Sequence, residues 1–270
     1  ENQSVNKWWL CDEGRLSYRK MNERKLRINH PFGRVDGNLE GVLWEEAYSA
    51  INKTVKEMSP NPDEVLAITD THASNEELFL IKRLFQKIFS SENVFCPLPI
   101  WEQVESDFFI NTIVTSDKSP NRSGAIANGI IGDEKNIKIK KILDRDIKLV
   151  IVLGSPFLNE LELQEKIKRS QLLVYIGTYK NIWSDYADIV LPGQYYSEKE
   201  GTYTNKNQII QSTEIAVQAL RRTRPEWKIL SELSKVLGGE NLFKTFQQVF
   251  DAMAIEVKAY SDIRYEEVKD

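Results

Sequence analysis

Five aliphatic residues in succession, Leu149-Val150-Ile151-Val152-Leu153, stop at Gly154-Ser155-Pro156, and this run constrains the fold more than any other feature of the chain. A strand over 147–153 with no polar alternation has to be covered on both faces, as strands of helix-flanked parallel sheets are. The pattern recurs. Val65-Leu66-Ala67-Ile68-Thr69 is a second short apolar run bounded by turn residues. Leu78, Ile81, Leu84, Phe85 and Ile88 then follow at helical spacing, and Ser74 with Glu77 three residues on predicts a capping box for that helix. Further strands are expected at 94–96, 172–176 and 188–191, with a helix carrying Leu161, Leu163 and Ile167 before the second of them. A helix built on Trp44, Ala47, Tyr48, Ile51 and Val55 precedes them and ends at Pro60-Asn61-Pro62. Another runs from Pro225 to Leu237, closed by Gly238-Gly239, and a last amphipathic helix covers about 242–257. Strand and helix in alternation imply an α/β fold with a doubly wound, mostly parallel sheet behind an irregular N-terminal segment. The expected divisions are 1–43, a core domain over 44–240, and a C-terminal helix and tail over 241–270.

Charge and composition exclude several function classes. The net charge is −4, and the longest basic stretch, 135–141, alternates with Ile and Asn as the solvated face of a helix does; nucleic acid has no electrostatic footing here. No apolar run approaches the ~20 residues that span a bilayer, so direct membrane insertion is not expected. The polar start, Glu1-Asn2-Gln3-Ser4, is no signal peptide, and without an initiator Met the chain reads as cut from something longer. Two cysteines, Cys11 and Cys96, build no disulfide framework and point to a reducing compartment. With His30 and His72 they show no ligand-pair spacing for zinc.

Two stretches carry candidate chemistry. The first is Trp8-Trp9-Leu10-Cys11-Asp12-Glu13-Gly14-Arg15, whose thiol is either a metal ligand or a buried structural cysteine. The second runs from Tyr186-Ala187-Asp188-Ile189-Val190-Leu191-Pro192 into Glu198-Lys199-Glu200-Gly201-Thr202-Tyr203-Thr204-Asn205 and on to Gln211. A loop with Glu, Thr and Asn at the carboxyl end of a parallel sheet is where ligands usually bind; the other reading is an ordered loop using Asn and Thr for backbone hydrogen bonds. Glu198 and Glu200 have no histidine near them in sequence and read as solvated, so no catalytic residues are assigned.

Together these stretches resemble the molybdopterin oxidoreductase family. Leu10, Cys11, Gly14 and Arg15 match its segment bearing the fourth cysteine of a 4Fe–4S cluster; Trp44-Glu45-Glu46-Ala47 matches a helix start. Residues 187–192, 198–205 and Gln211, then Arg224-Pro225-Glu226-Trp227-Lys228-Ile229-Leu230, match two further motifs in order, and Gly154-Ser155-Pro156 stands where the family has a Gly-x-Asn-Pro turn. The chain is most similar to the shortened C-terminal region of the large iron–sulfur subunit of bacterial NADH:quinone oxidoreductase (complex I). That resemblance implies a degenerate domain without its own chemistry and without molybdopterin, because the segment between Cys96 and Ile147 is short for that apparatus and no C-terminal cofactor-binding barrel follows. It implies that Cys11 completes a 4Fe–4S site with cysteines outside this chain, since such a cluster takes about four thiolates. The implied partners are other subunits of a membrane-associated respiratory complex, especially the NADH-oxidising flavin subunit, on the cytoplasmic side of the inner membrane. The alternative is a portion of a molybdopterin-dependent enzyme such as an NADH-linked formate dehydrogenase, with pterin dinucleotide held by loops at 154–157, 177–179 and 188–205. A vestigial nucleotide-binding module of a soluble hydrogenase complex is a third reading.

Overall fold

The computed structural model describes residues 16, 18–21, 23, 25–97, 119–130, 137–158, 160–239 and 243–269. The chain divides into two compact units, one of residues 28–99 with 119–270 and one of residues 1–27 with 100–118. Within the second, the described residues include a short helix, Tyr18–Met21. The rest of the description concerns the larger unit.

Its sheet has seven strands: β1 (Phe32–Val35), β2 (Asn38–Gly41), β3 (Val65–Ile68), β4 (Val94–Phe95), β5 (Leu149–Leu153), β6 (Leu172–Gly177) and β7 (Ile189–Pro192), in the order β2-β1-β7-β6-β5-β3-β4. The strands from β7 to β4 pair in parallel, and β1 joins β7 antiparallel, adding a hairpin to that edge. Asp36 (φ 48°) and Gly37 (φ 84°) form its turn, both in the left-handed region that a two-residue hairpin loop requires. The hairpin lies within the segment expected to be irregular, and Asp-Gly is its sequence signal.

The apolar strands are buried on both faces, as their composition predicted. Val65, Ala67, Leu149, Ile151, Leu153, Val174 and Ile176 join one core, and Leu66, Ile68, Val150, Val152, Leu173 and Tyr175 join a second. The period of two assigns alternate residues to opposite faces. The first core packs α1 (Trp44–Met58), α2 (Asn75–Phe89) and, nearer the C-terminus, α7 (Glu226–Val236) and α8 (Phe246–Glu256). The second packs α4 (Ile137–Leu143), α5 (Leu161–Lys168) and α6 (Ile182–Tyr186), with Ile139, Leu163, Ile167 and Trp183 facing inward. A short α3 (Arg122–Ala127) follows the described residues 119–121. Helices on both faces of a mostly parallel sheet are the expected architecture. The capping box formed: Ser74 Oγ accepts from the Glu77 N–H at 3.3 Å, and Glu77 Oε2 accepts from the Ser74 N–H at 2.9 Å.

Outside this sheet lies a two-stranded ribbon, β8 (Gly201–Thr204) and β9 (Ile210–Thr213). It comes from the loop motif.

Candidate functional site

Among the parallel strands the chain order reverses between β3 and β5: one connection leads to β4 on one side, the next to β5 on the other. A crevice at the carboxyl ends of two such strands is the usual ligand position in open α/β sheets. Here the chain's own side chains hydrogen-bond to one another and to the turns at the strand ends. Gly154 (φ 84°) turns the chain at the end of β5, and the Ser155 N–H behind it donates to Asp70 Oδ2 at 2.5 Å; Asp70 stands just past β3. Asp70 Oδ1 accepts from the His72 N–H at 2.8 Å, with the exposed His72 ring 3.7 Å away. Burial pushes the Asp70 carboxyl up, but His72 and the Ser155 N–H outweigh it and hold the pKa below its ordinary value. Beside them Asn181 Nδ2 donates to Ser155 Oγ at 3.0 Å and to the Tyr175 hydroxyl at 2.9 Å. That hydroxyl donates in turn to the Tyr179 carbonyl at 3.0 Å. The Tyr175 hydroxyl fills the space where Gly177, at the end of β6, lacks a Cβ.

A second polar cluster lies between α2, the ribbon and α7, and the sequence reading did not find it. Lys199 is buried and donates to Glu77 Oε1 at 2.5 Å and to Glu226 Oε2 at 2.6 Å. Burial alone would lower the Lys199 pKa; Glu226 and Glu77 more than reverse that. Glu226 packs over Gly193, just past β7, where a Cβ would meet its Oε1. Glu76, wholly buried, accepts from the Thr202 N–H at 3.0 Å and its hydroxyl at 2.6 Å. Asn75 Nδ2 donates to the hydroxyls of Thr202 (3.1 Å) and Thr204 (3.0 Å), and Asn121 Oδ1 accepts from the Thr204 N–H at 2.8 Å. Burial raises Glu76 and Glu226 to about 7 each, against the hydrogen bonds they receive. Two acids opening an amphipathic helix ordinarily face water, so the pattern gave no sign that Glu76 and Glu77 are buried.

The remaining motif residues are also placed by packing. Asp188 Oδ2 accepts from the Leu173 N–H at 2.8 Å, tying the start of β7 to β6. The Trp44 and Arg-Pro motifs, far apart in sequence, meet: the Arg224 guanidinium stacks 4.2 Å over the Trp44 ring, and Trp44 Nε1 donates to the Arg222 carbonyl at 3.1 Å. Asn205 Nδ2 donates to Gln211 Oε1 across the ribbon at 3.3 Å. Glu198, expected in solvent, is buried, and its Oε2 accepts from the Tyr195 N–H at 2.9 Å. Glu200 is exposed.

Cys11, with Trp8, Trp9 and Arg15, lies outside the described residues. Cys96 follows β4 and is fully buried; burial, helped by the Asp70 charge, pushes its thiol up to about 12. A metal ligand has to be a thiolate, so Cys96 is a poor one. Alkylation of the native protein at neutral pH, mapped by mass spectrometry, should leave Cys96 unmodified and label it only in denaturant; native labelling would contradict this assignment. Among the described residues no group of three or more His, Cys, Asp and Glu side chains could hold a metal ion. No described helix is long and apolar enough to cross a membrane.

The family model described as molybdopterin oxidoreductase matches residues 27–119 and 101–236. A relative from Rickettsia bellii (strain RML369-C), named as the G-type component of NADH-quinone oxidoreductase, is 22% identical over 97% of this chain and 54% of its own length. The alpha subunit of F420-dependent formate dehydrogenase 1 from Methanococcus maripaludis is 29% identical over 44% of this chain and 19% of its own. The chain thus spans about half the length of the first relative and far less of the second. Among solved structures, acetylene hydratase from Pelobacter acetylenicus matches with a TM-score of 0.57 at 10% identity, covering 96% of this chain and 67% of that one. At that identity the likeness concerns the fold alone.

Proposed function

The chain belongs to the molybdopterin oxidoreductase family, and from that premise we propose that it is a degenerate, non-catalytic domain of the large iron–sulfur subunit of an NADH:quinone oxidoreductase. It supports electron transfer by packing and by one cluster ligand, and carries out no reaction of its own. The observation that carries this reading is the Asp70–Ser155 hydrogen bond at the strand crossover. A backbone N–H behind a glycine in the left-handed region is the donor a phosphate would take. A diphosphate bound there would have to displace a buried carboxylate and bring negative charge against it. The Tyr175 hydroxyl at Gly177 supports the reading in the same way. The likeness to the R. bellii NADH-quinone oxidoreductase component supports the assignment to a respiratory complex.

In this reading Cys11, within a segment over 1–43, completes a 4Fe–4S site with three cysteines outside the chain; 44–240 is the degenerate domain and 241–270 its C-terminal helix and tail. The partners are the other subunits of the complex, above all the flavin subunit that oxidises NADH, on the cytoplasmic side of the inner membrane. The test is metal analysis and EPR of the complete subunit in its complex. Iron without stoichiometric molybdenum or tungsten is expected, and Cys11→Ala should remove one 4Fe–4S signal and leave the others. Molybdenum or tungsten near one per protein would favour the formate-dehydrogenase reading, and an unchanged set of EPR signals in Cys11→Ala would remove the ligand assignment.

A further inference from the structure

The ribbon β8–β9 is not hydrogen-bonded to the seven-stranded sheet, and a two-stranded ribbon has little stability by itself. Its inner strand offers mainly polar groups to the body. Thr202 and Thr204 are buried and bond to Glu76, Asn75 and Asn121, and the Thr204 hydroxyl lies 3.2 Å from that of Tyr260. Lys199, two residues before β8, anchors the same end between Glu77 of α2 and Glu226 of α7. Three carboxylates and one ammonium are therefore buried together. Fully ionised, the group would hold a net charge of −2 away from water, given one cation and three anions. Like charges in a dry site oppose one another's ionisation.

We propose that the β8–β9 ribbon is a proton-controlled flap: a proton held by the buried carboxyls of Glu76 and Glu226, on either side of the Glu77–Lys199 ion pair, holds it against α2, and loss of that proton loosens it. The other titratable groups facing the cluster are Tyr203 of β8, Tyr260 and Tyr265, with the Glu200, Glu214 and Glu266 carboxylates around Tyr265, and, through Tyr175, Asp70; all the tyrosines are pushed up, chiefly by burial, and stay neutral. The sign follows from the two carboxyls raised to about 7 in the docked form from an ordinary value of 4.5. The docked form binds the proton more tightly than the open form. Docking is therefore fully favoured below the ordinary value and weakens as pH rises through the docked value, with no further loss above it.

Amide hydrogen exchange on the intact protein tests this, with rates corrected for the intrinsic pH dependence and referred to β5 and β6. Between about pH 5.5 and about pH 8, protection of the amides of 201–213 should fall about tenfold or more relative to the central strands, one pKa unit being a factor of ten. Glu76→Gln and Glu226→Gln should each reduce that difference. Equal pH dependence in the ribbon and the central strands of the wild-type protein would overturn the proposal without recourse to any variant. So would an undiminished ribbon effect in both glutamines.

Discussion

Lys199→Met should lower stability by about 3–5 kcal/mol, the cost of leaving a buried charge without its partner. The expectation rests on position. Lys199, Glu77 and Glu226 are each under a tenth exposed, and the ammonium reaches both carboxylates within 2.6 Å. Methionine matches the length of the side chain and removes its charge, leaving two carboxylates facing each other in a dry site. Reversible denaturant unfolding is the measurement. The loss should be larger at alkaline than at acid pH, since protons can replace the ammonium at low pH only. Combining Lys199→Met with Glu77→Gln and Glu226→Gln should recover much of it, because replacing every member of a buried ionic group is far less costly than removing one. A loss under about 1 kcal/mol, the range of exposed ion pairs, would mean that water reaches this cluster.

The contrast with the rest of the fold lies in what each residue's neighbours in sequence disclose. Leu149 to Leu153 disclosed a doubly covered strand, because an apolar run has one physical interpretation once its length is known. Ser74 and Glu77 disclosed a helix start for the same local reason. They did not disclose that Glu77 also takes Lys199, 122 positions away in the chain, since a capping carboxylate looks the same from sequence whether it faces water or a buried lysine. Asp70 was overlooked for a related reason: an Asp after a strand is an ordinary turn residue until Ser155, 85 positions on, brings its N–H to it. The Gly-containing loop after Pro192 was legible as an ordered element, and its Thr and Asn do serve hydrogen bonds. Asn205 bonds locally, accepting from the Asn207 and Ile209 N–H groups, whereas the partners of Thr202 and Thr204 are largely on α2 and at Asn121, which local spacing cannot supply. The hairpin at Asp36-Gly37 carries a legible turn signal inside a segment whose Asn, Arg and Gly content otherwise reads as irregular.

Gly154→Val should cost about 3–5 kcal/mol, through backbone strain and one identifiable contact. Gly154 holds φ at 84°, a region that costs a side-chain-bearing residue roughly 1–2 kcal/mol and a β-branched one more. A Cβ there would meet Asp70 Oδ2 at 2.7 Å, the oxygen that receives the Ser155 N–H. Either the turn or the carboxylate has to move, and a nearly buried carboxylate that loses such a bond adds about 1.5–3 kcal/mol. The two contributions separate in a double-mutant cycle of Gly154→Ala with Asp70→Ala, followed by thermal unfolding. If the clash with Asp70 accounts for the second part, Gly154→Ala should cost less in the Asp70→Ala background, by about 1 kcal/mol or more, leaving the backbone part alone. Strict additivity would place the whole effect in the turn and remove Asp70 as the occupant that matters. The result bears on function as well as stability. A glycine here lets a charged group approach the chain closely, and in this protein the group that approaches is the chain's own carboxylate. Asp70→Ala should therefore free the Ser155 N–H without emptying the rest of the strand ends, because the bonds from Asn181 to Ser155 and Tyr175 do not depend on Asp70.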